Sequence, residues 1–267
     1  MLRQLTPLVA RRGAAIAVVG GTCVATALQQ PPAQNAGFWS REKSASSSIH
    51  LRYFDARGAA ETSRLLMALA GQKFTEDRWA IDFTRLSGDA MSPGMATARQ
   101  EGKLAANLDR APVLVVDGGN EIGQSKAIER FLARRLGLMG KDELEAGRID
   151  CFSEHVRDIR EKYQKAKSTP GDEQRKAALL EFWSSSLPGL FKLMERVCEG
   201  ASSGAIVGKT ISYADVCMYV LANEYFDNRQ GVQEALKDCP RLTASVKAVA
   251  AHPNVVRYLA ARPSTKV

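Results

Sequence analysis

The alternation of apolar and polar residues changes between a strand period and a helix period along the chain. The segment IHLRYF at 49–54 alternates with the period of two that is typical of a half-buried strand, and KFTEDRW at 73–79 resembles it. Between them, GAAETSRLLMALAG at 58–71 places its leucines at helical spacing and ends at a glycine suited to a helix C-terminus. These patterns predict a strand, a helix and a second strand.

A hairpin and another helix follow. The segment PVLVVDGGNEIG at 112–123 has the composition of two short strands joined by an Asp-Gly-Gly turn at 117–119. The next segment, SKAIERFLARRLGL, predicts a helix that begins at Ser125. The order β-α-β and then β-β-α predicts a small layered α/β domain at 49–140.

Residues 142–267 lack strand patterns and predict an all-helical domain. The segment SYAD at 212–215 is a capping box, in which Ser212 and Asp215 satisfy backbone N–H groups at a helix start. The helical patterns lie at roughly 142–167, 173–198, 212–227, 240–251 and 253–260.

The first 48 residues differ in composition from the rest. Residues 1–12 are amphipathic and arginine-bearing, residues 13–28 are uncharged and apolar, and a Pro/Ser/Gln-rich linker follows. An acid-poor, arginine-bearing start favours a mitochondrial transit peptide. The apolar run at 13–28 leaves a secretory signal or a membrane anchor as the alternative, although it is shorter than the ~20 residues of a spanning helix. We expect residues 1–48 to lie outside the fold, and any membrane contact to be made by this segment if it is not cleaved.

Charge and cysteine content exclude several function classes. Residues 1–48 carry a net charge of +4, so only half of the chain's +8 belongs to the folded part, and no dense basic stripe predicts nucleic-acid binding. The five cysteines form no C-x-x-C pair, which argues against a zinc site or a disulfide framework and favours small core hydrophobes. Because no cysteine lies between 24 and 150, the α/β domain has no thiol for redox catalysis.

Three places in the α/β domain have residues suited to ligand binding. Tyr53 ends the first strand, where it is either a core aromatic or a hydroxyl at the edge of a site. A cis bond before Pro112 would free the backbone of Ala111 to pair with an extended peptide-like ligand; an ordinary trans proline at a strand edge is the alternative. Gln124 and Ser125 open a helix, whose N-terminus attracts anions, although Ser125 would serve equally as a simple cap.

Together, four segments resemble the cytosolic-type glutathione transferases, and most closely their sigma class with its glutathione-dependent prostaglandin D synthase branch. The segments are LRYFDARGAAETSRLLMALAG, RAPVLVVDGGNEIGQSKAIERFLAR, SYAD and HPNVVRYLAARPSTKV, and the resemblance covers about residues 49–267. It implies a thioredoxin-like domain with the order β-α-β-α-β-β-α, followed by an all-helical domain, in a homodimer. It also implies glutathione as the cosubstrate and a small hydrophobic electrophile as the substrate.

The resemblance also implies site residues. Tyr53 matches the catalytic tyrosine, whose hydroxyl donates a hydrogen bond to the glutathione sulfur and favours its thiolate. The other implied glutathione-binding residues are Phe83 and Arg85 after the second strand, Ala111 and Pro112 at the cysteinyl unit, Gln124 and Ser125 at the γ-glutamyl end, and Asp158 reaching the site of the neighbouring subunit.

Departures from the family pattern modify this expectation. Ala59 stands where the family has an arginine beside the catalytic tyrosine, which predicts weaker thiol activation. Arg157 interrupts the acidic cluster of Glu154 and Asp158 that holds a metal in prostaglandin synthases, so we expect no metal. Lys165 falls where those synthases have a pocket aromatic, which argues against that isomerase activity.

The expected function is conjugation of glutathione to hydrophobic electrophiles, a detoxification reaction, with peroxide reduction as a possible second activity. The alternative is a non-catalytic scaffold or a glutathione-binding subunit of an organellar complex, because fold does not fix function. Ala59, the lengthened segment at 86–109 and the apolar run near the N-terminus motivate this alternative.

Overall fold

The computed structural model describes residues 48–85, 88–199 and 204–265. These residues belong to one compact unit. All but the last residue of the predicted targeting segment at 1–48, with its apolar run and its linker, lies outside the described residues.

A four-stranded sheet forms the core of the first half. Its strands are β1 (Ile49–Phe54), β2 (Thr75–Trp79), β3 (Val113–Val116) and β4 (Asn120–Gly123), in the order β2-β1-β3-β4. β1 pairs with β2 in parallel and with β3 antiparallel, and β3 and β4 form the predicted hairpin. Residues 117–119 of its turn all have positive φ, which explains the two glycines.

Helices surround the sheet and make up the second half, and this arrangement confirms the predicted fold class. The helices of the first half are α1 (Glu61–Leu69), α2 (Pro93–Gln100) and α3 (Ser125–Arg135). Those of the second are α4 (Glu143–Lys167), α5 (Asp172–Glu181), α6 (Leu187–Val197), α7 (Tyr213–Val220), α8 (Arg229–Leu236), α9 (Pro240–Ala251) and α10 (Pro253–Ala261). One π-helical turn joins α5 to α6 and another ends α7. The division into domains at 49–140 and 142–267 remains a prediction.

α1 is buried on nearly all sides. It contacts α3 on one side and α7 and α10 of the helical half on the other. Its leucines are buried as its apolar spacing predicts, but its polar residues Glu61, Thr62, Ser63 and Arg64 are buried as well. Buried charges require partners, so we expect oppositely charged groups beside Glu61 and Arg64.

The predicted capping box is present at the start of α7. The Asp215 carboxylate, wholly buried, accepts from the Ser212 N–H at 2.8 Å and from the Ser212 hydroxyl at 2.7 Å. It also accepts from the Ile206 N–H and the Ser245 hydroxyl, so it joins the preceding loop and α9 to the helix start. The cap therefore has a wider structural role than the sequence predicted.

The prediction that the cysteines are core residues holds for three of the four described. Cys198, Cys217 and Cys239 are buried, and burial raises the pKa of Cys198 to about 12 and that of Cys217 to about 11. For Cys151 the prediction is wrong, because this residue is exposed on α4 with its Sγ 3.6 Å from His155 Nε2. Cys151 lies outside the buried face of α4, which consists of Ile149, Phe152, Ser153, Val156, Ile159, Tyr163 and Ala166.

In a Cys23→Ser background, one thiol is expected to react rapidly with an aromatic disulfide reagent at neutral pH, and three only after unfolding. The reason is that thiolate, rather than thiol, is the nucleophile, and burial both shields the three core thiols and disfavours their ionisation. Absorbance of the released aromatic thiol measures the count. Adding Cys151→Ser should remove the fast phase; a fast phase that persists in that variant would contradict the assignment.

Candidate functional site

The strand register brings Tyr53, Pro112 and Gln124 to one end of the sheet. Arg52 pairs with Val113 in antiparallel register, so Tyr53 faces Pro112 one position further along. Val113 pairs with Gly123, so Gln124 lies beyond the same end of β4. These three residues, which the sequence analysis proposed separately as ligand-binding residues, therefore lie close together.

The Tyr53 hydroxyl is held by the loop that follows β1. Tyr53 is 8% exposed, and its Oη accepts a hydrogen bond of 2.9 Å from the Ala59 backbone N–H. A phenol oxygen has one proton and two lone pairs, and the Ala59 N–H occupies a lone pair. The hydroxyl proton thus stays available for an acceptor outside the loop.

Gly58 makes this contact possible. Its φ is +42°, a backbone conformation that other residues adopt with difficulty. A Cβ at this position would lie 2.5 Å from Tyr53 Oη, closer than any real contact. The loop can therefore approach the hydroxyl only with glycine at position 58.

Arg64 places positive charge against the Tyr53 ring. Its guanidinium lies 5.8 Å from the ring centroid and is almost wholly buried. Burial raises the pKa of the Tyr53 phenol above its ordinary value of 10.0, while the Ala59 N–H and Arg64 act in the opposite direction. Tyr53 is consequently a neutral hydrogen-bond donor at physiological pH.

A network of ion pairs connects the Tyr53 loop to the helical half. Arg57, in that loop, donates to Glu224 at 2.8 Å, and Arg262 donates to Glu224 at 3.0 Å and to Glu61. Arg64 donates to Glu76 at 2.6 Å and lies 3.4 Å from Glu61. The loop that orients Tyr53 is therefore fixed from α1, β2 and the segment after α10.

These charged residues were absent from the sequence prediction. Their one visible signal in the sequence is the pair of charged residues Glu61 and Arg64 at the start of a leucine-rich helix, because charges on a buried helix must find partners. The partners themselves, Glu224 and Arg262, are too distant in sequence to be found by spacing.

The peptide bond between Ala111 and Pro112 is cis, so the cis alternative considered from the sequence is confirmed. Ala111 lies just before the paired part of β3. The Asn107 side chain donates to the Pro112 carbonyl at 2.9 Å, and a Cβ at Gly123 would lie 2.5 Å from the Ala106 carbonyl oxygen. The segment before the cis bond is thus fixed tightly against β4.

Gln124 and Ser125 are at the predicted helix start. Ser125 is the first residue of α3, and Gln124 precedes it with a φ of +64°. The structure shows no side-chain cap at this helix start, so the alternative of Ser125 as a simple cap gains no support. The free N–H groups of the first turn suit an anion.

The structure does not join Phe83, Arg85 or Asp158 to this group. Phe83 is 56% exposed in the turn after β2, and Arg85 pairs with Asp82 in the same turn. Asp158 is exposed on α4. No hydrogen bond or ion pair among the described residues links these three to Tyr53, and their roles in binding stay predictions.

Glu154, one of the two acidic residues that motivated the metal question, is paired with arginines. Glu154 accepts from Arg130 and from Arg157, the latter at 2.7 Å. Within the described ranges, no group of three or more His, Cys, Asp or Glu side chains is placed to hold a metal ion. The same ranges contain no helix of sufficient length and apolar character to cross a bilayer.

Comparisons with known proteins identify the family. The profile of the glutathione S-transferase C-terminal domain matches residues 157–262. A glutathione S-transferase of Dirofilaria immitis is 30% identical over 220 residues, which cover 82% of this chain and 96% of that protein. The chain belongs to the glutathione S-transferase family. As a member it falls in the transferase class that its sequence predicts.

Two further relatives of this glutathione S-transferase show the range of the family. S-crystallin SL11 of Nototodarus sloanii is 27% identical and matches over 82% of this chain and 98% of its own length. The crystal structure of monomeric Na-GST-3, from the hookworm Necator americanus, is 26% identical, with a TM-score of 0.64, and covers 82% of this chain and 100% of its own. The likeness therefore extends over both halves of the fold.

Proposed function

We propose that the protein binds glutathione at the sheet end formed by Tyr53, Ala111, Pro112, Gln124 and Ser125 and transfers its thiolate to hydrophobic electrophiles. The observation that supports this most is the Tyr53 hydroxyl, whose oxygen is held by the Ala59 N–H while its proton stays available. A donor aimed at a sulfur favours the thiolate over the thiol, whose ordinary pKa is ~8.5.

In the proposed reaction the glutathione thiol gives its proton to solvent and its sulfur accepts the Tyr53 O–H hydrogen bond. A sulfur lone pair then forms a C–S bond to the electrophile. With an aryl halide, the halide leaves with its bonding pair; with an activated alkene, the π pair moves to carbon and water supplies a proton. The protein's contribution is positioning and charge stabilisation.

The remaining binding roles are proposed on the family pattern. The Ala111 backbone, before cis Pro112, pairs with the cysteinyl unit, and the start of α3 holds the γ-glutamyl carboxylate. Phe83 and Arg85, from the turn after β2, contact the glycyl end. Asp158 reaches the glutathione site of the second subunit in a homodimer. The same family pattern assigns the chain to the sigma class. Since one solved relative is described as monomeric, sedimentation of the native protein tests this assembly.

Peroxide reduction uses the same thiolate. Its sulfur attacks a peroxide oxygen, the O–O bond breaks, and the released alkoxide takes a proton to become an alcohol. A second glutathione then displaces hydroxide from the glutathione sulfenic acid, which yields the disulfide and, with a proton, water. A coupled assay for glutathione disulfide with an organic hydroperoxide tests this activity.

The protein is expected to bind a glutathione affinity column and to conjugate a neutral chromogenic aryl halide faster than the uncatalysed reaction. The Tyr53 site predicts both results, because it positions the nucleophile and favours its charged form. Elution by free glutathione and absorbance of the product measure them.

A non-catalytic scaffold is the second candidate. Ala59 in place of the usual arginine favours it, as does likeness to a relative named a crystallin. Glutathione binding without turnover of any standard electrophile, together with co-purification in a stoichiometric complex, would establish it and contradict the catalytic proposal.

We place the protein in the mitochondrion on the arginine-bearing, acid-poor character of residues 1–12. The apolar run at 13–28 supports secretion or membrane anchoring as the alternative. Sequencing the amino terminus of the native protein, with fractionation of cells, distinguishes them: a start near residue 49 in mitochondria supports the proposal, and an intact start on a membrane contradicts it.

A further inference from the structure

Arg160 on α4 is a half-buried cation whose hydrogen-bonding edge has no partner. Its Nε and Nη2 atoms are buried and donate to no acceptor among the described residues. Its guanidinium carbon lies 4.7 Å from the centre of the Tyr225 ring. Such stacking covers the face of the guanidinium and leaves the in-plane N–H groups unsatisfied. An unpaired buried charge is costly, so its presence requires an explanation.

The side chains around Arg160 are already engaged with one another. Gln164, one turn further along α4, donates to the Tyr225 hydroxyl at 2.7 Å, and that hydroxyl lies 3.4 Å from the Arg160 carbonyl oxygen. Glu224, the carboxylate next to Tyr225 in sequence, is paired with Arg57 and Arg262. The described part of the chain therefore supplies Arg160 with no anion.

A series of neighbouring residues connects Arg160 to the loop that orients Tyr53. Tyr225 follows Glu224 in sequence, and Glu224 forms an ion pair with Arg57. Arg57 belongs to the loop that donates a hydrogen bond to the Tyr53 hydroxyl. Arg160 is thus related to the Tyr53 loop through Tyr225, on which it stacks, and the neighbouring Glu224, which pairs with Arg57.

We propose that Arg160 binds an acid group of the substrate, so that the preferred electrophile has an apolar reactive body and a carboxylate. This inference rests on the proposed conjugation of glutathione. A guanidinium is planar and always charged, and it grips a carboxylate with two parallel N–H bonds. Nε and Nη2 are buried, so the acid approaches the guanidinium at Nη1, the remaining nitrogen.

The test compares an acid and a neutral electrophile that are otherwise alike. The pair is an aryl vinyl ketone with a para carboxymethoxy group and the corresponding carboxamide, in which the varied group is remote from the reacting carbon. For Arg160→Met we expect KM for the acid to rise about 10- to 100-fold, since a charged hydrogen-bonded pair is lost. KM for the carboxamide should change less than about twofold, because it lacks the charge that the guanidinium binds.

Two variants control for charge and shape. Arg148→Met removes a cation from the same helix, one that pairs with Glu199 and is half exposed, and should leave both substrates unaffected. Arg160→Lys keeps the positive charge but lacks the two parallel N–H donors of a guanidinium, so it should recover only part of the affinity for the acid. Equal effects of Arg160→Met on acid and carboxamide, or no preference of the native protein for the acid, would overturn the inference while leaving conjugation intact.

A binding measurement separates this inference from the proposed function. If neither ketone is conjugated, the proposed function is wrong, and titration calorimetry with the saturated, unreactive ketone acid then decides the role of Arg160. Native protein that binds this acid at least about tenfold more tightly than Arg160→Met supports the site. Equal affinities reject it.

Discussion

Replacement of Tyr53 by phenylalanine should slow conjugation of a neutral aryl halide about 10- to 100-fold, while the dissociation constant of glutathione changes less than about threefold. The variant loses one hydrogen bond to a charged sulfur, worth about 1.5–3 kcal/mol, and retains the contacts of the peptide backbone and the γ-glutamyl end. Steady-state kinetics and calorimetric titration with glutathione measure the two quantities. A lower conjugation rate with a nearly unchanged dissociation constant of glutathione identifies the hydroxyl as a group that acts on the nucleophile.

The pH dependence provides an independent check. Hydrogen bonding to the thiolate lowers the pKa of bound glutathione, so the rate of native protein should reach its plateau below ~8.5. In the Tyr53→Phe variant the midpoint should move up toward that value. Because the pKa of Tyr53 itself is raised by burial, the rate should not fall again before pH 10 through loss of the hydroxyl proton.

Tyr163→Phe is the matched control. Tyr163 lies in the aromatic cluster with Phe182 and Phe226, and its replacement should leave both rate and midpoint unchanged. An unchanged rate and midpoint in Tyr53→Phe would remove Tyr53 from the reaction and favour the scaffold.

The second large effect is expected for Arg64→Met, which should reduce the free energy of unfolding by about 3–5 kcal/mol. The change removes a buried guanidinium that pairs with Glu76, lies near Glu61 and donates to the Ala56 carbonyl at 2.7 Å. Glu61, almost wholly buried, and Glu76, mostly buried, are then left with their remaining partners Arg262 and Arg78. Urea denaturation followed by circular dichroism measures the loss.

The control for Arg64 is an exposed pair. Lys176→Met breaks a contact with Glu173 in which both side chains are mostly exposed, and it should change stability by about 0.5 kcal/mol or less. Glu76 keeps its pair with Arg78 at 3.0 Å in Arg64→Met, so the double variant Arg64→Met/Glu76→Gln should lie within about 1 kcal/mol of the single variant. A loss below 1 kcal/mol for Arg64→Met would show that the network contributes little.

The local elements of the fold follow from local sequence. The alternation at 49–54, the glycines at 118 and 119 and the long helical patterns each specify backbone conformation within a few residues, and the structure contains all of them. α8 was not predicted, because only Val232 and Ala235 of its eight residues are buried and its apolar pattern is therefore weak.

The site was predictable in part. Pro112, Gln124 and Ser125 appear as local signals, and the sheet register alone brings them beside Tyr53. The contacts that orient Tyr53 join residues up to about 200 positions apart, such as Arg262 with Glu61. Pairings of that separation depend on how the halves pack, which no sequence spacing encodes.

Ala59 lacks the side chain that the family has beside Tyr53, but its backbone still contacts the tyrosine. The missing arginine predicted a loss of positive charge beside Tyr53. In the structure the Ala59 backbone N–H bonds the tyrosine oxygen, and the Arg64 guanidinium lies against the ring. Because a backbone N–H is present in every residue but proline, this part of the arrangement does not depend on the side chain at position 59.

The segment between β2 and β3 is fixed at its far end, where Asn107 bonds Pro112 and Ala106 meets Gly123. Further back, a side chain at Gly88 or Gly102 would meet nothing within 4 Å. The chain can therefore gain or lose residues there over evolution without shifting the peptide bond that faces Tyr53. Related proteins can therefore differ in the length of this segment, and insertions there can add surface without altering the site at Tyr53.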